Sequence, residues 1–189
     1  TTADPVARFF ALVVVPEPEP ATPPAPTPPP LRVIPGGREA ALRRRLPAMD
    51  LLLLGGVSGS GKSVALGALE DCGYYAVNNL PLPLVAATAR YLADAGRDRV
   101  AIALDVKTAP GLAGLAGTIA ELRTLAWNVR FLYLDAKTET LVKRFSETRR
   151  RHPFSSDART LTEAIDYERG LLAEVRPLGF AFDTSELPA

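Results

Sequence analysis

The stretch Gly56-Val57-Ser58-Gly59-Ser60-Gly61-Lys62-Ser63, GVSGSGKS, decides how the rest of the chain is read. It follows the apolar run at residues 51–54 and opens a helical pattern over residues 62–72 that Gly73 stops. A buried strand, a glycine-rich turn and a helix form the setting in which G-x-x-x-x-G-K-[ST] holds phosphate. Glycines let the backbone curl until successive N–H groups face one anion. The helix that follows adds the partial positive charge of its N-terminus. In this reading Gly56, Val57, Ser58, Gly59, Ser60 and Gly61 cradle the phosphates, and Lys62 reaches the β- and γ-phosphates. The hydroxyl of Ser63 ligates Mg²⁺. The Lys62 ammonium is expected to sit among backbone N–H donors, a position that wants an anion beside it. The bland alternative is a Gly/Ser turn with a surface lysine, which does not account for the full pattern in its strand-to-helix setting.

A phosphate loop needs a carboxylate near its metal, and two apolar runs end in one. Asp105 closes VAIALD and is assigned to Mg²⁺, held through water. Asp135 closes FLYLD and is either a second metal carboxylate or the cap of the helix expected from Thr138. A third feature is RFSETRRRHPF. Its Arg144, Arg149, Arg150, Arg151 and His152 bunch at a helix end before a polar loop. Such arginines either complement the helix C-terminal dipole or form a lid that closes on phosphate. In the second case Arg149 and Arg150 act with Lys62 in catalysis. His152 is the only histidine, and Pro153 after it suggests a fixed turn more than a base.

Outward from the loop, apolar runs alternate with helical patterns. Strands are expected at residues 75–77, 100–104, 129–134 and 180–182, and helices at 84–95, 112–125 and 138–147. Thr160 and Glu163 make a capping box for a last helix, which turns Ile165, Leu171, Leu172 and Val175 to one side. Strand–helix alternation with short connections implies an α/β, three-layer architecture: a mostly parallel sheet covered by helices on both faces, the P-loop NTPase class.

The first 48 residues read differently. They hold twelve of the eighteen prolines, and PEPEPATPPAPTPPP can form neither a helix nor a central strand. Residues 1–48 are read as a disordered, proline-rich segment that need not be native, and Met49, just before the first strand, offers itself as a natural start. Residues 49–189 are read as one nucleotide-binding domain with a kinase-like opening.

The bulk numbers exclude several classes. A net charge of +1 over 189 residues argues against a whole-chain polyanion binder. Cys72 is alone, so it forms no internal disulfide and is read as a small core residue. No apolar run approaches the roughly 20 residues that span a bilayer, so the expected location is cytoplasmic.

These features, in this order, resemble the RapZ/YvcJ family of bacterial P-loop nucleotide-binding proteins. SGSGKSVALGALEDCGYY is similar to that family's loop and first helix, VNNLP to its V-D-N-L-P, SETRRRHPF to its S-D/E-T-R-R-x-H-P, and DTSEL to its D-T-S. The resemblance implies ATP binding through Gly56 to Ser63, a GTP contact at Asp105, Val106, Lys107 and Thr108, and ATPase and GTPase activity in a regulatory protein. Asn78 departs from the pattern, standing where the family has Asp. The family also continues into a second domain that carries RNA binding; residues 49–189 do not reach it, so RNA binding is not expected of them. Two other readings stay open: a small-molecule kinase passing the γ-phosphate to an acceptor, and a module that holds nucleotide without turnover.

Overall fold

The computed structural model describes residues 49–105, 114–125 and 127–187. Five strands run in the order β1 (Asp50–Gly56), β2 (Tyr75–Leu80), β3 (Arg99–Leu104), β4 (Asn128–Asp135) and β5 (Phe180–Asp183). Between them come α1 (Lys62–Asp71), α2 (Leu82–Asp94), α3 (Leu115–Thr124), and the pair α4 (Thr138–Thr148) and α5 (Leu161–Leu171). A short 3₁₀ turn at Arg176–Leu178 leads into β5.

Every strand pair is parallel, and the spatial order is β2-β3-β1-β4-β5. β1 is therefore central, with Leu51 opposite Val100 on one side and Val129 on the other. A central strand buried on both faces reads as an unbroken apolar run rather than an alternation, which is why LLLL works here. Leu51 and Leu53 join one core cluster, while Leu52 and Leu54, equally buried, point to the opposite face.

The two faces carry unequal cover. From β1 the chain steps across β3 to β2; every later crossover steps the other way. Right-handed crossovers therefore put α1 on one face and α2, α3, α4 and α5 on the other. The large core cluster agrees: it draws on α2 (Val85, Ala89), α3 (Ile119, Leu122), α4 (Leu141) and α5 (Ile165), and on no residue of α1.

Several expectations shift in detail. β2 runs on to Leu80 through an irregularity between Val77 and Leu80 that leaves Asn79 left-handed at φ 52. α3 is described only from Leu115, because residues 106–113 lie outside the described residues, as do residues 1–48. The capping box forms as expected: the Thr160 hydroxyl accepts from Glu163 N–H, and the Glu163 carboxylate accepts from Thr160 N–H. At the end of α5, Leu171 is 40% exposed and leaves the buried stripe of Ala164, Ile165 and Glu168, which Leu172 and Val175 continue past the helix end. At a helical period of 3.6, Leu171 falls a full residue's rotation off that line. Cys72 is half-buried at the end of α1 rather than in the core.

At the sheet edge away from the loop, Asp50 binds Tyr74 Oη (2.5 Å), Asn128 and Arg130, tying the beginnings of β1 and β4 to the turn before β2. That network belongs to folding, on the opposite side from the carboxyl ends of the strands.

Candidate functional site

In an open parallel sheet, ligands bind outside the carboxyl ends of the strands where the crossover direction reverses. Here that point is the end of β1, and the segment placed there is GVSGSGKS. Gly56 is demanded by close approach: a Cβ on it would lie 1.9 Å from Leu134 O, and its φ is +128°. Gly61 is demanded by conformation instead, with open space around it and φ +89° at the N-cap of α1.

The loop is held from outside at several points. Val57 N–H donates to Leu134 O (3.2 Å) on the neighbouring strand. Thr184 Oγ1 donates to Ser60 O (2.9 Å), and Arg144 Nη1 donates to Gly59 O (3.1 Å). Arg144 also donates to the Thr184 hydroxyl (3.1 Å) and carbonyl (2.7 Å) and to Leu187 O (3.0 Å). The DTS segment thus braces the loop through its threonine. In a trans peptide C=O and N–H point in opposite directions. Holding Ser60 O outward toward Thr184 therefore turns Gly61 N–H inward.

Among the described residues, the N–H groups of Gly59, Gly61, Lys62 and Ser63 have no acceptor. Two belong to the first turn of α1, where a helix leaves its donors unpaired. Lys62 corrects one expectation: its Nζ donates to carbonyls, Gly56 O (2.7 Å) and Val57 O (2.8 Å), rather than sitting among N–H donors. A flexible four-carbon stem lets the ammonium reach these oxygen acceptors. Burial lowers the Lys62 pKa from 10.5 to about 8, against the opposing pull of the Glu168 charge and then the Asp105 charge. The ammonium is held there at a cost to its charge.

Asp105 lies half-buried just past β3, with its N–H on Leu80 O (3.0 Å) and its charge bearing on Lys62. Ser63 is exposed on the first turn of α1. Both are oxygen donors of the kind Mg²⁺ takes. Val106, Lys107 and Thr108 lie outside the described residues. Asp135 does not face the site as a free carboxylate: its Oδ1 accepts from Ala136 N–H (2.8 Å) and from Arg169 (3.4 Å). Nor is it the cap of α4, because Lys137 holds that position with no side-chain bond.

The arginine cluster divides. Arg144 is half-buried and committed to the loop and the DTS segment. Arg149, Arg150 and Arg151 are exposed past the end of α4, Arg149 in the left-handed region at φ 51. Only Arg151 has a carboxylate nearby among the described residues, Asp157 at 3.8 Å. His152 turns back inward and is buried. Phe154 N–H donates to its Nδ1 (3.2 Å), which leaves the proton on Nε2, and Nε2–H donates to Glu168 Oε2 (3.1 Å). That tautomer makes it the fixed turn the sequence suggested. Burial pushes its pKa below the usual value; the Glu168 charge and hydrogen bond oppose this, and Lys62 adds to it.

Glu168 went unseen in the sequence. It is wholly buried, and it accepts from Ser58 N–H and Ser58 Oγ at 2.8 Å each. A signal was present: Glu168 stands on the apolar stripe of α5 between Ile165 and Leu172, where a carboxylate needs a buried partner.

An all-parallel sheet with this loop at its crossover reversal defines an α/β protein of the P-loop NTPase class. The chain belongs to the RapZ-like family: the model of the RapZ-like N-terminal domain matches residues 49–189. A relative from Aromatoleum aromaticum described as a nucleotide-binding protein is 50% identical over 141 residues, covering 75% of this chain and 48% of its own. Another from Laribacter hongkongensis, with the same description, is 51% identical over 139 residues, covering 74% of this chain and 49% of its own. The chain thus spans about half the length of the curated relatives it matches. Two solved structures also align. A gluconokinase from Sinorhizobium meliloti is 19% identical over 74% of this chain and 84% of its own, at a TM-score of 0.43. A shikimate kinase from Bacteroides thetaiotaomicron is 17% identical over 75% of this chain and 90% of its own, at a TM-score of 0.45. No helix among the described residues is long and apolar enough to cross a membrane.

Proposed function

We propose that residues 49–189 form a nucleotide-binding domain that takes ATP or GTP with Mg²⁺ at GVSGSGKS and hydrolyses it slowly. The observation that carries this reading is that, among the described residues, the N–H groups of Gly59, Gly61, Lys62 and Ser63 have no acceptor, in a loop that leads into a helix N-terminus and whose carbonyls at Gly56 and Val57 hold the Lys62 ammonium. Oriented donors of this kind suit a phosphate chain. Ser63 and Asp105 would hold Mg²⁺, which when bound neutralises phosphate charge. Lys62 exchanges its two carbonyls for phosphate oxygens, and its charge becomes fully favoured there. Arg149 and Arg150, exposed and without carboxylate partners among the described residues, are the cations that reach the γ-phosphate. The family description and the names of its relatives support nucleotide as the ligand. The Asn78 and Asn79 side chains, exposed at the end of β2, offer no carboxylate to activate an acceptor, which favours hydrolysis over a kinase reaction.

The test is thermal unfolding with Mg²⁺ and ATP or GTP, followed by phosphate release with and without candidate acceptors. At ligand about 100-fold above Kd the stabilisation expected is about 2.7 kcal/mol. Lys62→Ala should remove most of that rise, and Ser63→Ala its Mg²⁺-dependent part. An equal rise in wild type and Lys62→Ala would mean that nucleotide binds elsewhere. Nucleotide turnover that depends on an acceptor would replace the triphosphatase with a kinase, and binding without release would leave a binding module.

A further inference from the structure

Glu168 lies 110 residues from Ser58 in sequence, and nothing in the loop motif calls for it. Yet every oxygen it has is used. Oε1 takes the Ser58 hydroxyl, while Oε2 takes both Ser58 N–H and His152 Nε2–H. Both side chains of the Glu168–His152 pair are 0% exposed. A buried carboxylate adds little stability over a well-packed apolar residue, so stability alone does not account for Glu168 at this position.

The position of His152 supplies a role. It directly follows Arg149, Arg150 and Arg151, and its ring packs on Phe145 (5.0 Å between centroids) and Phe154 (6.1 Å). Phe145 itself lies against the loop: a Cβ on Gly59 would meet its ring at 2.9 Å. The exposed arginine run is therefore anchored on one side by α4 and on the other by His152. His152 is in turn fixed through Glu168 to the first half of the phosphate loop. Long arginine side chains lose about 2 kcal/mol of rotamer entropy when fully ordered. A backbone held in place beside the loop limits what else must be ordered when they close on an anion.

We infer that Glu168 and His152 are positioning residues, which lock the Arg149–Arg150 backbone to the Ser58 side of the phosphate loop so that these arginines meet the γ-phosphate. This rests on the nucleotide reading above. The pair acts through the arginines, not on the substrate.

The test is steady-state hydrolysis of Mg-ATP and Mg-GTP by the full chain. It compares wild type, His152→Ala, His152→Gln, Glu168→Gln, the double variant Arg149→Ala/Arg150→Ala, and that double variant carrying His152→Ala. His152→Ala and Glu168→Gln should lower kcat about tenfold while KM moves less than about threefold, the mark of an interaction made in the transition state. His152→Gln, whose amide N–H can reach Glu168, should recover most of the loss. On the double-variant background His152→Ala should cost nothing further, since residues acting as one unit are not additive. If His152→Ala does not fold, Glu168→Gln carries the comparison, with its Tm recorded and His152→Gln as the variant expected to stay near wild type. The inference is overturned if kcat per folded molecule in Glu168→Gln, or in a folded His152→Ala, matches wild type. It is equally overturned if His152→Ala costs as much on the double-variant background as in wild type, or if wild type binds nucleotide without turning it over. A wild type whose Tm no nucleotide raises overturns the nucleotide reading first, and this inference with it.

Discussion

Replacing Thr184 by valine tests whether the DTS segment holds the phosphate loop in its working shape. The two side chains are nearly isosteric, so the substitution removes a hydroxyl and little else. Thr184 is buried, and its hydroxyl shares its proton between Ser60 O (2.9 Å), the nearer acceptor, and Asp135 O (3.1 Å), while accepting from Arg144 (3.1 Å). Arg144 keeps Gly59 O, Thr184 O and Leu187 O as partners, so its loss is small. Among the described residues Ser60 O has no such reserve: Ser60 is wholly buried, and an orphaned acceptor there costs about 1–3 kcal/mol. The expected destabilisation is about 2–3 kcal/mol. For a folded unit of this size that corresponds to a fall in Tm of about 6–9 °C. Freed from Thr184, the Ser60–Gly61 peptide can rotate, and Gly61 N–H is no longer aimed inward. Mg-nucleotide affinity should then fall by about 1 kcal/mol, roughly fivefold. Denaturant unfolding and calorimetric titration measure the two effects separately. Stability within about 0.5 kcal/mol of wild type, together with unchanged affinity, would refute the bracing role, because changes of that size are typical of surface substitutions without such partners.

Two further outcomes follow from the same geometry. Gly56→Ala should cost more than about 3 kcal/mol or prevent folding, since its Cβ would collide with Leu134 O at a φ of +128°; soluble yield and Tm report it, and near-wild-type values would contradict the close approach of loop and β4. His152 should make stability pH-dependent on the acid side. Its folded pKa lies below 6.5 because burial disfavours the imidazolium, with Glu168 opposing and Lys62 adding to the shift. The unfolded chain thus binds a proton that the folded chain refuses. The stabilisation is complete above the unfolded pKa and is lost as pH falls through the folded one, by up to about 1.4 kcal/mol per pH unit. The stability gap between wild type and His152→Gln should therefore narrow from pH 7 to pH 5, measured as denaturant midpoints. A constant gap would count against the neutral buried imidazole.

What GVSGSGKS and its flanks say, they say locally. The apolar run before the loop, the glycines inside it, the helix after it and the Thr160–Glu163 box each depend on neighbours within a few residues. The sequence alone therefore determined the alternating elements, the parallel sheet and the position of the loop. The burial of β1 on both faces was legible in four successive leucines for the same reason. Partners drawn from distant parts of the chain were not legible. Ser58 meets Glu168 across 110 residues, and Ser60 meets Thr184 across 124. Which carboxylate faces which loop atom depends on how α5 and β5 pack against the end of β1, and no local period records that. Tertiary structure also separated arginines that look alike in RFSETRRRHPF, committing Arg144 to the loop and leaving Arg149, Arg150 and Arg151 exposed. It gave Asp135 to Arg169 and Ala136 N–H, while the charge of Asp105 bears on Lys62. A charge pattern states which groups are present; burial and the distance between strand ends decide which of them meet.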